Sequence, residues 1–579
     1  MTSASVGLRR FACAALFGIT LPRGSVHAAP SVGPTISVEE LRPGMEGYGL
    51  TVFEGTEPER FPVRLVAVLH NFLPKEDVIL VKSDDPRLVH SGIAQGMSGS
   101  PVYFDGRLAG ALSYGWGFAK DPIAGVTPIA NMVRELDRPL RGNDASPLHA
   151  SVIPAGPAGL QPSALPLTVS GLSSQAVAEL GDALAPFHIV PQQGGGTRGP
   201  RRGKGGTARF EPGGTIAVEL IRGDVSAVAT GTVTAVAGDR VLAFGHPMFN
   251  AGEVALPIAT GAVHAFMSSL NTSFKISSPV DEAGVLLQDR QAGIVGDMSR
   301  RVPMVPIVLT LKVPGRPPER FDVEVARHRF LTGTLATSVV ASAATSAAAD
   351  ATDATITMKT HVDVRNQPSL DVTDQLYAPD GVTSRSLGSA RGLHALNDIL
   401  FNTFSPALVD RVAIHIDVAY RADVAEIVEL SLGAETVEPG SRPSLRVTLR
   451  PYGKPDETMF VPFDVPMSLA GQTVKLTVQA GGAAHPDTAP PESLRELIGN
   501  LGRVYPAQSL VVGVELPDEG VTLHGRLVPE LPGSVLDSLR PSTASRRSDS
   551  LHRVDRTVVP TSYVTVGKQE LTLRVHERR

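Results

Sequence analysis

The stretch GIAQGMSGSPVYFDGRLAGALSYGWG, residues 92–117, carries the strongest fold signal in the chain. Its apolar runs Pro-Val-Tyr-Phe (101–104) and Arg-Leu-Ala-Gly-Ala-Leu-Ser-Tyr-Gly (107–115) are joined by Asp105-Gly106 alone. An Asp-Gly link supplies the positive-φ positions of a type I′ turn, whose twist matches that of two paired strands, so a tight hairpin is expected. Gly96-Met97-Ser98-Gly99-Ser100-Pro101 then falls in a loop directly before a strand. Its glycines allow a sharp turn that points the Ser98 hydroxyl into a cleft. The N–H groups of Gly96 and Ser98 then converge where a developing oxyanion would sit.

The same alternation of short apolar runs with Gly, Pro and charged breaks extends back to residue 37. Downstream, GVTPIANMVRELDRPL changes to helical spacing, with Ile129, Met132, Val133 and Leu136 on one stripe and Pro128 at the first turn. Residues 37–140 therefore read as one β unit closed by a helix. Residues 141–210 read as an irregular connector, with a helix around Ser174–Leu184 and a solvated loop, QQGGGTRGPRRGKGG. A second β unit is expected over 211–335 and a mixed α/β segment over 336–422, whose Ala/Thr/Ser-rich start reads equally as helix or linker. Short strands with turn signals at sandwich-like intervals fill 423–579.

The chain has 579 residues, 57 of them glycine and 47 proline, with hydrophobic residues in short runs. Mostly β structure in several domains follows. The formal net charge is −5 with both signs interspersed, which gives no electrostatic footprint for nucleic acid. At the N-terminus Arg9-Arg10, an apolar run from Phe11 to Leu21, and Val26-His27-Ala28 form a signal-peptide pattern over residues 1–28. An exported protein, periplasmic or extracellular, with no integral membrane segment after cleavage is expected. The single cysteine, Cys13, lies inside that signal, so the mature chain is expected to have no thiol chemistry and no disulfide. No zinc-ligand spacing and no phosphate-binding glycine loop is found, and no cofactor is expected.

A serine hydroxyl needs a histidine base in reach, and the histidine needs an orienting group. The run SDDPRLVHSGIAQGMSGSPVYFDGRLAGALSYGWGFAKDPIAGVTPI resembles the serine-containing half of the SpoIVB-type serine peptidases, family 55 of the serine peptidases, related to the chymotrypsin-like clan. GTVTAVAGDRVLAFGHPMF resembles that family's histidine segment, a strand ending in Gly245-His246. The order is reversed, because in the sporulation enzyme the histidine half comes first. No PDZ segment is found, and the C-terminal third lies outside the resemblance.

The resemblance implies a chymotrypsin-like double β-barrel with permuted halves, and a protein or peptide substrate, with self-cleavage an open option. It makes Ser98 the nucleophile and His246 the base. Asp85, in the family-like Asp-Pro-Arg-Leu, is the orienting acid, with Asp289 a rival because it shares the histidine half. The N–H groups of Gly96 and Ser98 form the oxyanion hole. Met97, Tyr114, Gly115 and Trp116 form a pocket expected to be small or apolar. Simpler readings stand beside these: a Gly/Ser turn for Ser98, a strand-end histidine for His246, and a turn initiated by Asp before Pro for Asp85. The alternative function is a non-catalytic envelope scaffold built on a peptidase-like barrel. The sequence does not fix the oligomeric state.

Overall fold

In the computed structural model, residues 31–116, 119–140, 159–194, 208–523, 526–528, 532, 534–535 and 548–577 are described. The expected signal peptide, the Gly/Arg-rich loop from residue 195 on, and Gly117 lie outside them. The chain is mainly β, and its first unit is a closed six-stranded antiparallel barrel. Its strands are β1 (Glu46–Thr51), β2 (Glu59–Leu73), β3 (Glu76–Lys82), β4 (Pro101–Phe104), β5 (Arg107–Trp116) and β6 (Ile123–Pro128). They pair in the ring β1-β2-β3-β6-β5-β4, which β4 closes by pairing back onto β1. Asp105 and Gly106 both have positive φ, and Phe104 pairs with Arg107 across them, as a type I′ turn requires. Phe61, Val63, Leu65, Ile79, Val81, Val102, Phe104 and Val126 share the core of this barrel.

Helix α1 (Pro86–Ser91) leads into the Gly96 turn, and α2 (Ile129–Leu136) follows β6. Ile129, Met132 and Leu136 of α2 pack with Leu108 and Ala111 of the first barrel and with Ala235, Leu242 and Val295 of the next unit. The helical stripe is thus buried between the two β units.

The second unit contains another complete ring of antiparallel pairings. Between the units run β7 (Leu160–Pro162), β8 (Leu165–Ser170), α3 (Ser174–Leu184) and β9 (Ile189–Gln193). The ring itself is made of β10 (Thr215–Gly223), β11 (Ser226–Ala237), β12 (Arg240–Ala243), β13 (Gly252–Met267), β14 (Phe274–Arg290) and β15 (Gly293–Asp297). It runs β10-β13-β14-β15-β12-β11 and returns to β10. The interior is filled by residues such as Ile216, Val218, Val233, Val241, Ile258, Leu286 and Ile294.

The sheet does not stop at this ring. β16 (Val305–Lys312) and β17 (Glu319–Val325) attach to the end of β10, and β18 (Ala354–Val364), β19 (Leu370–Ala378) and β20 (Val409–Ala419) continue outward. The Ala/Thr/Ser-rich run is a helix, α4 (Leu331–Ala347), buried along most of its length. Small side chains let it lie close against its neighbours, a reason that periodicity alone does not reveal. Beyond residue 423, a four-stranded and a six-stranded sheet share one core that includes Ile427, Val447, Leu476, Val512 and Leu573.

Candidate active site

The Gly96 turn lies against the second ring, held by an alternating row of threonines on β11. Thr232 Oγ1 donates to Gly96 O at 2.9 Å and Thr234 Oγ1 to Gly99 O at 2.7 Å, while Thr232 N donates to Ser98 O at 2.8 Å. Period-2 spacing puts Thr230, Thr232 and Thr234 on one face of the strand, and Ser277 Oγ donates to Thr230 at 2.7 Å. On the first barrel's side, Gly99 N donates to Leu112 O and Ser100 Oγ to Met97 O. The turn is therefore bonded to both units.

Ser98 is fully buried, and its Oγ has no hydrogen-bond partner. The N–H groups of Gly96 and Ser98 are bonded to no protein acceptor among the described residues, whereas those of Met97, Gly99 and Ser100 are. Gly96 has φ +91° and Gly99 φ +96°, a left-handed backbone that glycine adopts without a Cβ penalty.

His246 follows a strained corner in which Phe244 (φ +69°) and Gly245 (φ +70°) are both left-handed. A bulky aromatic in that region is held there only by its surroundings. Here its ring packs on Gly231, and Thr127 Oγ1 donates to Gly245 O at 2.6 Å. The His246 Nδ1 lies 2.8 Å from Pro247 O, so Nδ1 carries the proton and Nε2 presents its lone pair. That Nε2 is buried and unpartnered, and no hydrogen bond joins it to Ser98 Oγ. Burial, opposed by the Pro247 hydrogen bond and aided by His188, pushes the imidazole down to about 4.

Neither carboxylate expected behind His246 bonds to it. Asp85 caps α1, accepting from Arg87 N at 2.9 Å, and it pairs with the Arg87 guanidinium at 2.9 Å. Hydrogen bonding to Arg87 holds its carboxyl below the usual range. Asp before Pro thus acts as the helix-initiating residue that its local sequence favours. Asp289 is buried and accepts from the N–H groups of Met248 (2.7 Å), Phe249 (2.6 Å) and Ala251 (3.3 Å), fixing the loop after His246. Burial raises its carboxyl to about 6 against the pull of those N–H groups.

The expected pocket residues separate. Met97 is fully buried in the core of the first barrel, and Tyr114 packs with Val78, Leu160 and Phe72, where burial pushes its phenol up to about 12. Gly115 and Trp116 line a cavity of about 420 Å³ whose other walls include Gln95, Gln161, His188 and Ser269–Ser273. Its lining is rich in amides and hydroxyls, unlike the small or apolar pocket expected. Ser98 and His246 are not among its lining residues.

Residues 28–133 match the family model for SpoIVB peptidase S55. Over that stretch the chain is similar to a serine peptidase family, and the stretch contains the Gly96–Pro101 turn but ends well before His246. No curated protein and no solved structure matches the chain significantly.

One site residue was not singled out beforehand. Lys275 is fully buried, donates to Thr51 Oγ1 across the two units at 2.6 Å, and lays its aliphatic stem along Gly96. Burial alone drives its amine down to about 7. A lysine two residues into a strand carries no sequence signal of this, since exposed and buried strand lysines look alike. Among the described residues no group of three or more His, Cys, Asp or Glu could hold a metal ion, and no helix is long and apolar enough to cross a membrane.

Proposed function

We propose that the chain is an exported serine endopeptidase acting on protein substrates, itself included, with Ser98 as nucleophile and His246 as general base. The observation that carries this is the Gly96–Pro101 turn, which falls within the stretch similar to the SpoIVB-type peptidases and leaves two N–H groups and one serine hydroxyl uncommitted. His246 Nε2 takes the Ser98 proton as Oγ attacks the substrate carbonyl, and the N–H groups of Gly96 and Ser98 receive the oxyanion. The imidazolium then returns its proton to the leaving amine, and water, activated by the same nitrogen, releases the acyl group from Ser98.

In this proposal the orienting group is the Pro247 carbonyl in place of a carboxylate. A carbonyl fixes the productive tautomer but stabilises imidazolium less, and loss of the triad carboxylate costs about 10⁴ in kcat in the worked serine-protease case. Slow turnover is expected. Because Ser98 and His246 are both sealed from solvent, reaction also requires an opened state of the cleft.

The sealed, unbonded pair equally favours the second reading, a non-catalytic scaffold. A fluorophosphonate probe on the mature chain separates them. Wild type should label at a single site, Ser98→Ala should not label, and His246→Ala should label about 10²–10⁴ times more slowly, the usual size of a lost general base. The wild-type rate should stay flat down to about pH 5 and fall near pH 4, where His246 gains its proton. Equal inertness of folded wild type and Ser98→Ala, with no cleavage of casein or of the chain itself, leaves the scaffold reading standing.

A further inference from the structure

We infer that the cavity beside Gln95 reads a polar, uncharged side chain of the substrate, a carboxamide or a hydroxyl, for the peptidase site proposed above, on which this inference rests. Position ties the cavity to that site from two directions. Gln95 lies one residue before Gly96, on the chain that forms the turn, and its backbone is pinned by Ser273 O to Gln95 N at 2.8 Å and Lys275 N to Gln95 O at 3.1 Å. His188, another lining residue, contributes to the lowering of the His246 imidazole.

The chemistry of the walls sets the class of side chain. Gln95, Gln161, Ser163, Asn271 and Thr272, all with amide or hydroxyl side chains, line a space of about 420 Å³, as does Trp116. Ligand pockets are ordinarily lined mostly by apolar groups, so this wall composition disfavours an aliphatic or aromatic side chain. The Gln95 amide is only half used. Its Oε1 takes a long bond of 3.4 Å from Gln192 Nε2, its own NH₂ donates to no protein acceptor among the described residues, and Gln192 Oε1 behind it is buried without a partner. A substrate group that accepts from the Gln95 NH₂ completes this amide, whereas an alkyl group beside it would leave it unpaired. The lining itself carries one charged side chain of each sign, Lys120 and Asp121, so its own formal charges sum to zero.

The test uses the full mature chain and peptidyl diphenyl phosphonates that differ only in the side chain adjoining phosphorus: Gln, Ser, Leu, Arg or Glu. Second-order rates of Ser98 modification are measured by mass spectrometry. The Gln or Ser probe should react at least tenfold faster than the Leu probe, and Gln95→Leu should bring the Gln-to-Leu ratio down by at least tenfold. Gln161→Leu, on another wall, should lower the same ratio and serves where Gln95→Leu does not fold. Fastest reaction with Leu, Arg or Glu, or a ratio unmoved in folded variants, overturns the inference while leaving the peptidase reading intact. Failure of every phosphonate and of the small fluorophosphonate to modify Ser98 overturns both.

Discussion

At the scale of single residues, Lys275 shows how far a buried site can depart from the usual chemistry of its side chain. An ammonium removed from water with one hydroxyl partner loses more solvation than it regains, and the amine is held near pKa 7 against about 10.5 in an unfolded chain. The sign of the linkage follows. Between pH 7 and 10.5 the unfolded chain holds a proton that the folded chain does not, so stability rises with pH across that window, and below pH 7 the cost is present in full. Lys275→Met keeps the stem against Gly96 and removes the amine. It should therefore stabilise the protein by a few kcal/mol at pH 6 and by about 1 kcal/mol at pH 9.5, read from urea melts. A gain of equal size at both values would mean that Lys275 is not titrating in the folded state. For His246 the shift would serve the proposed chemistry: its low pKa keeps the Nε2 lone pair free through the neutral range.

At the scale of elements, the loop from Pro247 to Ala251 and the turn from Gly96 to Gly99 are positioned by hydrogen bonds made at a distance in sequence. Asp289, on β14, gathers the N–H groups of Met248, Phe249 and Ala251 into one carboxylate. Asp289→Asn replaces one accepting oxygen with an NH₂ that faces those donors, so it should cost about 2–4 kcal/mol in a denaturant melt, the range for an unsatisfied buried group next to a lost charge-assisted bond. The fluorophosphonate rate of the folded variant should fall with it as His246 loses its fixed corner, and an unchanged rate would show that the loop and His246 are independent. These elements also mark what was readable beforehand. The hairpin at Asp105-Gly106 and the stripe of α2 were legible because turn chemistry and helical periodicity are local properties of sequence. The acid behind His246 was not legible. Asp85 and Asp289 are both plausible by motif or by chain half, and only the folded chain shows one engaged by Arg87 and the other by backbone N–H groups. The bonding of the threonine row of β11 was not legible either, since a period-2 stripe says which residues share a face and not what lies across from it.

At the scale of the whole molecule, the candidate site exists only where the two rings meet. Ser98 comes from the loop before the first barrel's hairpin, and His246 comes from the corner after β12 of the second. Beside the threonine hydroxyl bonds, backbone meets backbone directly: Thr232 N donates to Ser98 O, and Gly99 closely approaches the Thr232 carbonyl and Phe244 N. Gly99 is where this arrangement leaves no room. A Cβ there would overlap the Thr232 carbonyl, and φ +96° is itself costly for any side chain. Neither neighbour is a flexible side-chain end, so the strain can be relieved only by parting the rings. Gly99→Ala should therefore destabilise by more than about 3 kcal/mol, beyond the usual single-substitution range. It should also abolish fluorophosphonate labelling even where the variant still folds, because the turn that carries Ser98 would be displaced from the ring that carries His246. Gly106→Ala in the adjacent hairpin is the control: that glycine is also left-handed at φ +72°, but its Cβ would meet open space. Its cost should stay near the 1 kcal/mol of the backbone conformation alone, with labelling retained. Similar losses in the two variants would mean that the meeting of the rings at Gly99 is not what holds the pair in place.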